Sequence, residues 1–364
     1  MKIPFVDLKA QYSSHKEEID AAIKCVIDDC AFIGGAGNKY VQEFEQGFSN
    51  YLGIKHTVAC ANGTDAIEIA LQAMNIGAGD EVIVPACSWF STAEAVTTMG
   101  AIPVFVDVFE NDLNINVNLI EEKITSKTKC IIPVHLYGAP ADMPAIMKIA
   151  RKHNLKVIED CAQAHGARIN DQIVGTFGNV STFSFYPGKN LGAYGDAGAI
   201  CTNEEQLESK ARIISQHGQK GGKHNHVTTG RNSRLDGIQA AILNVKLPYL
   251  DGWIDARREN AALYRESLKS SVGLYIEPSN CKSVYHLMVI KIKNREQIIK
   301  TLKEKGVQCA IHYPVALPML KPYESENAQN EYPIAYKTSQ EILSIPLYPE
   351  LTQEQIKYVC TLLT

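Results

Sequence analysis

Lys156-Val157-Ile158-Glu159-Asp160-Cys161-Ala162-Gln163 is the stretch on which the fold turns. A helical pattern precedes it, and a short run rich in β-branched and aliphatic residues then delivers Asp160 at its carboxyl end. Similar runs occur upstream at 56–60, 81–84, 102–108 and 130–136, and downstream at 181–185 and 197–202. Helical patterns and turns separate them. Alternation of this kind implies βαβ units around a mainly parallel sheet covered on both faces. Earlier in the chain, Ser14-His15-Lys16-Glu17 has the form of a capping box, with Ile19, Ile23 and Val26 following at helical spacing. A second helix is expected after Asn38, with Val41, Phe44, Phe48 and Leu52 on one face.

After about residue 233 the texture changes to long helical patterns with a break at Pro248. A smaller α+β set follows: a strand over 283–292, a helix over 295–305, a strand over 308–312, and helices near the end. The reading is an α/β protein with a large domain over 1–245, a helical connector near 240–260, and a smaller C-terminal α+β domain over 246–364.

Composition limits the function classes. The chain has 364 residues, 45% of them hydrophobic, and 36 basic against 40 acidic residues give a net charge of −4. That balance gives no reason to expect nucleic acid as a partner. No apolar run approaches the roughly 20 residues of a membrane-spanning helix, and the first residues lack a signal-peptide core. A cytoplasmic enzyme is expected. The ten cysteines include no CxxC pair and mostly lie in apolar runs, as buried free thiols do. His217, His224 and His226, with Lys220 and Lys223, fit no common metal spacing, so no metal is expected and a mobile basic loop near phosphates is the better reading.

Ligands of parallel sheets bind beyond the carboxyl ends of the strands. Asn62-Gly63-Thr64-Asp65 follows the first strand and opens a helix. Its backbone N–H groups and the helix dipole suit a phosphate, although Thr64 or Asp65 could serve only as an N-cap. Asp160 could hold a cationic ring nitrogen and Gln163 a phenolic oxygen, the alternative again being a cap. Ser184-Phe185-Tyr186-Pro187-Gly188-Lys189-Asn190-Leu191-Gly192-Ala193-Tyr194-Gly195-Asp196 places Lys189 in a turn before a glycine-rich loop, which makes it a candidate Schiff-base former. Trp89, just past the strand at 81–84, could stack on a planar cofactor or pack in the core. Neither GxGxxG after a strand nor GxxxxGK[ST] occurs, which removes the dinucleotide and P-loop readings.

Taken in order, these motifs resemble the DegT/StrS-type nucleotide-sugar aminotransferases, enzymes of pyridoxal 5′-phosphate fold type I. The likeness runs end to end, from Ile3-Pro4-Phe5-Val6-Asp7-Leu8 through Ile131 to Gly138, Gly230 to Asp236, Ile311 to Pro314 and Leu343 to Pro349. It implies that Lys189 carries the cofactor as a Schiff base and that Asp160 pairs with the ring nitrogen. Gln163 would meet the ring hydroxyl, and Trp89 would stack. Gly63, Thr64 and Ser184 would bind the phosphate, joined by Asn232 from the second subunit of a homodimer with shared active sites. L-Glutamate would leave as 2-oxoglutarate, the cofactor cycling through pyridoxamine 5′-phosphate, and a dTDP- or UDP-linked keto sugar would accept the amine in ping-pong fashion.

Relatives with histidine at the lysine position act as dehydratases, so Lys189 favours transamination. The Tyr-Pro-Gly-Lys-Asn-Leu-Gly-Ala-Tyr form resembles the branch that aminates 3-keto sugars, whose products enter surface polysaccharide such as O-antigen. Within it Tyr186, Arg234, His312 and Tyr313 would face the sugar or its diphosphate, although Tyr186 could be packing and Arg234 could pair with Asp236. Cys87-Ser88-Trp89 departs from the more usual Asn-Thr-Phe, and the bulkier indole is expected to narrow the site. The alternatives are a 4-keto-sugar aminotransferase, amination of an inosose or aminohydroxybenzoate precursor, and a non-catalytic regulatory protein on this fold.

Overall fold

The computed structural model describes residues 1–35, 37–222, 224–268 and 272–363. Its strands are β1 His56–Cys60, β2 Glu81–Pro85, β3 Ile102–Val106, β4 Thr128–Ile131, β5 Lys156–Asp160, β6 Arg168–Ile169, β7 Gln172–Ile173, β8 Val180–Ser184, β9 Gly198–Thr202, β10 Gly273–Leu274, β11 Cys281–Lys282, β12 Met288–Lys291 and β13 Ile342–Ile345. Seven of them form one sheet in the order β1-β9-β8-β5-β4-β2-β3. The neighbours from β8 to β3 are parallel, and β9 runs antiparallel to both β8 and β1. The carboxyl ends of all strands but β9 therefore share one edge. Residues 62–65, 86–90, 160–163 and 184–189 meet there although they are far apart in sequence.

Strands covered on both faces carry continuous apolar runs, and β9 is buried throughout. On one face Ile67, Ala70 and Leu71 of the helix Gly63–Ala73 pack with Val58 and Val84. On the other, Phe44 and Phe48 of the helix Lys39–Leu52 meet Phe183 and Phe185 edge-on, with centroids 4.9–5.3 Å apart. Each such buried ring contributes about 2–3 kcal/mol by leaving water. Asn38 caps this helix by accepting from the N–H groups of Tyr40 and Val41, and Gly53 closes it in the left-handed conformation.

A second sheet, β10-β12-β13, is antiparallel. It packs with the helices Leu250–Ser267 and Gln353–Leu362 around Tyr264, Ile290, Leu343 and Ile356. Ile3 joins this core from the far end of the chain, bridged to Val307. Strands β6, β7 and β11 form a small third sheet.

Several sequence expectations are corrected. Ser14 is not a cap but the last residue of the helix Leu8–Ser14, its hydroxyl turned back on the Ala10 carbonyl. The next helix starts after His15 with no side-chain cap. The run at 130–136 is strand only to Ile131, because Pro133 has no N–H to continue the ladder. The strand expected over 283–292 shrinks to β12, since Ser283 and Val284 bond instead to the Gly138 carbonyl. The strand expected over 308–312 is only a bridge between Ala310 and Ser344. Its partner β13 lies where helices alone are expected. All ten cysteines are free and six are buried, as expected of most of them; Cys25 and Cys30 are exposed and Cys281 and Cys309 partly so.

Candidate active site

At the shared strand edge lies a cavity of about 630 Å³ whose walls come from both sheets. The helix Gly63–Ala73 begins there. The Asn62 side chain accepts from the Asp65 N–H, which leaves the N–H groups of Gly63 and Thr64 without partners among the described residues. Such a helix start attracts anions. Ser184, at the end of β8, closes the same corner. A Cβ on Gly63 would stand 2.7 Å from the Ser184 Cβ, so only glycine lets helix and strand approach this closely. Gly63→Ala is expected to open this corner and weaken the binding of a phosphate group there about tenfold, a loss of roughly 1.4 kcal/mol, read by titration.

Side chains alternate along β5. Glu159 points away from the cavity and accepts from the N–H groups of Gly175, Phe177 and Gly178 at 2.7–2.8 Å and from His135 Nε2 at 3.2 Å. His135 Nδ1 accepts from the Ala141 N–H, so its proton sits on Nε2. With Cys161 these residues are the one metal-like group among the described residues, yet their lone pairs already hold the backbone together. Asp160 faces the cavity. Its carboxylate accepts from the Thr92 hydroxyl at 3.1 Å and the Ala162 N–H at 3.1 Å. Burial still pushes its pKa up, outweighing those two hydrogen bonds and the opposing charge of Lys189.

Lys189 enters from the loop after β8. Its Nζ has no hydrogen-bond partner among the described residues, and burial lowers its pKa to about 8, with Asp160 opposing the shift. At pH 7 roughly a tenth of it is then neutral amine, against about one in three thousand for an ordinary lysine. Gln163 accepts from the Tyr137 N–H at 2.7 Å and donates Nε2 to the Tyr313 hydroxyl at 3.0 Å, which turns its amide N–H side toward the cavity. Trp89 is 58% exposed, so it is not a core residue. It stands at the rim, tilted against the Tyr313 ring at 5.6 Å. Phe90 takes the packing role instead, beside Tyr323.

His312 and Tyr313 line the opposite wall, and Tyr186 is an exposed part of the rim. Burial lowers His312 to about 4, so it is neutral at physiological pH. Asn232 and Arg234 are not brought to this cavity. Asn232 lies on the surface, its backbone paired with Gln216, and no ion pair between Arg234 and Asp236 is found among the described residues. The basic loop with His217, Lys220, His224 and His226 is also exposed and away from the cavity, and Lys223 falls outside the described residues. Thr92, Tyr137 and His286 enter the site without having been singled out. Thr92 alone left a signal, a hydroxyl three residues after Trp89 at a helix start.

The family model described as the DegT/DnrJ/EryC1/StrS aminotransferase family matches residues 13–364. A pleiotropic regulatory protein of Geobacillus stearothermophilus is 44% identical over 99% of this chain and 97% of its own. A UDP-N-acetyl-3-dehydro-alpha-D-glucosamine 3-aminotransferase of Acidithiobacillus ferrooxidans is 44% identical over the same shares. The crystal structure of DesV of Streptomyces venezuelae superimposes with a TM-score of 0.95 at 37% identity, covering 99% of this chain and 97% of that one. The cavity's own residues fit pyridoxal 5′-phosphate. A helix start with free N–H groups meets a phosphate, a buried carboxylate without a cation meets a pyridinium, and an unpartnered lysine of lowered basicity meets an aldehyde. No helix among the described residues is long and apolar enough to cross a membrane.

Proposed function

The chain belongs to the DegT/DnrJ/EryC1/StrS aminotransferase family, a family of pyridoxal 5′-phosphate enzymes, and from that premise we propose that it moves an amino group from L-glutamate to carbon 3 of a UDP- or dTDP-linked keto sugar. The product is a 3-amino sugar for a surface polysaccharide such as O-antigen, made in the cytoplasm. The observation that carries the reading is the convergence of Lys189, Asp160 and the start of the helix Gly63–Ala73 in one cavity. The 3-position is supported by the relative that acts on a 3-dehydro sugar and by the Tyr186 to Tyr194 stretch.

Gly63, Thr64 and Ser184 hold the phosphate, and Asp160 holds the ring nitrogen in its protonated form. Gln163 donates to the ring hydroxyl, while Trp89 covers the ring. When bound, the cofactor supplies an aldehyde for the donor's amine and a cationic ring that receives the electron pair of the broken C–H bond. Lys189 would act on the donor's α-carbon as a neutral amine, holding the proton it removes and giving it back. The keto sugar reverses the sequence. Tyr186, His312 and Tyr313 face the sugar, and neutral His312 accepts or donates a hydrogen bond without adding charge.

Asn232 and Arg234 serve across a homodimer, Asn232 of the partner subunit completing the phosphate site. Support comes from their distance from this chain's cavity and from Phe32 and Ile33, 44% and 61% exposed. Ile33 lines a surface hollow with Gln216, the backbone partner of Asn232.

Product analysis with a panel of UDP- and dTDP-linked 3-keto and 4-keto sugars tests the proposal. The pyridoxamine form made with glutamate should return to the pyridoxal form with a 3-keto sugar and not with a 4-keto sugar. Turnover of the 4-keto sugar alone would move the chemistry to that carbon. The name of the Geobacillus relative favours a regulatory role instead, and a protein whose cofactor band ignores glutamate would bring that reading forward.

A further inference from the structure

Asn190, the residue after Lys189, donates its Nδ2 to the Val284 carbonyl at 3.0 Å. That bond fixes which way the carboxamide points, so Oδ1 faces His286 Nδ1 at 3.2 Å. A carbonyl oxygen only accepts. His286 must therefore carry its proton on Nδ1, and a neutral ring then keeps a lone pair on Nε2. The ring is neutral: burial pushes its pKa well below the usual value, helped by the charges of Lys189 and Arg257 and by neighbouring His312 and His165.

The backbone that bears it cannot easily turn. Arg257, buried in the helix Leu250–Ser267, donates to the carbonyls of Leu347 at 2.8 Å and Tyr285 at 3.3 Å. Val284 and Ser283 bond to the Gly138 carbonyl, both at 3.0 Å. His286 lines the same cavity as Lys189. Among the described residues neither His286 Nε2 nor Lys189 Nζ has a hydrogen-bond partner, so one unused acceptor and one unused donor share the cavity.

We propose that His286 is a positioning residue for Lys189, its Nε2 accepting a hydrogen bond from the amine that Lys189 regains when the donor displaces it. One N–H of the lysine is held by the histidine, which leaves the nitrogen's lone pair for the substrate proton. The proposal rests on the assignment of Lys189 as the cofactor's lysine and proton carrier. The charged or titratable groups around that lysine are Asp160, Asp196, Tyr186, Tyr313, His165, His286, His312 and, behind His286, Arg257.

Three variants separate the two ring nitrogens. Asparagine places an amide near Nδ1, glutamine places one near Nε2, and phenylalanine offers neither. The first readout needs no turnover: the pH dependence of the rate at which Lys189 is acetylated in protein loaded with pyridoxamine 5′-phosphate, read on its peptide by mass spectrometry, which reports the neutral amine in the state where the lysine is free. A hydrogen bond to the ammonium favours the charged form, so His286→Phe and His286→Asn should shift the midpoint to lower pH and His286→Gln should restore it. The second readout is the single-turnover rate with glutamate. It should fall about tenfold, the worth of one ordinary hydrogen bond, in the Phe and Asn variants at unchanged glutamate KM, and recover in Gln. Equal recovery in Asn would show that only the bond to Asn190 matters and would overturn the proposal. So would wild-type behaviour in all three, or a raised KM with an unchanged rate. Wild-type apoprotein that captured no cofactor at any pH would instead overturn the assignment of Lys189, and this proposal with it. Because Gln and Asn are both polar, their comparison survives even if the Phe variant fails to fold.

Discussion

Lys189→Ala should lose the glutamate half-reaction by at least about 10³-fold. Wild-type protein with pyridoxal 5′-phosphate should show a visible band that shifts on adding L-glutamate. The alanine variant should bind the cofactor non-covalently, without that band and without the shift. The size follows from two roles falling on one nitrogen, covalent attachment and proton transfer, each worth orders of magnitude. Among the described residues no other lysine lines the cavity, and the other deeply buried one, Lys246, spends its Nζ on the Gly192 carbonyl at 2.5 Å. The histidines around Lys189 are also weak bases, with His165 lowered to about 3 and His312 to about 4. An alanine variant that still shifted its spectrum with glutamate would refute the assignment.

Asp160→Asn should lower the same rate about 10²–10³-fold, the usual worth of one group stabilising a developing charge in a dry site, yet leave the apoprotein at least as stable as wild type. Burial raises the Asp160 pKa, and the Thr92 and Ala162 hydrogen bonds only partly oppose it. The sign follows from that direction. A carboxylate whose folded pKa lies above its unfolded value costs stability while it is charged, at neutral pH. The cost is relieved as the pH falls through the raised value. Asparagine removes it, so the apo variant should melt higher at pH 7, with the difference shrinking on acidification. Added cofactor should reverse the order, because it stabilises the wild type in proportion to its affinity. Thermal melts of both forms at two pH values check this. A variant that is less stable without cofactor would mean that Asp160 is a structural cap.

The Asp160 case shows what a local pattern leaves open. The residues at 156–163 announce a strand with a polar pair beyond its end, and the strand is there. Whether the carboxylate caps a helix or faces a ligand depends on Thr92 and Lys189, which are 68 and 29 residues away. Trp89 is similar. Its position after β2 was legible, but that it stands 58% exposed at the rim against Tyr313, a residue 224 positions away, was not. His286 left no signal, because nothing local distinguishes a histidine before a strand from one that Asn190 forces into a single tautomer. The run at 308–312 was misread because bringing His312 and Tyr313 to the cavity costs that segment its ladder.

Sequence by itself determined the central sheet, the helix start at Asn38, a helix opening within 62–65 though capped by Asn62 rather than by Thr64 or Asp65, and the four stretches proposed to carry the chemistry. Those features rest on short-range causes: apolar periodicity, capping side chains and glycine where atoms approach closely. Only the tertiary structure decided which of the two carboxylates of Glu159-Asp160 faces the cavity, that Lys189 is left unpartnered and weakly basic, and that Asn232 and Arg234 stay away from this chain's own site. Those outcomes depend on strand order and on burial. Both are set by contacts between residues tens to hundreds of positions apart, and burial rather than residue type fixes the basicity of a lysine or a carboxylate.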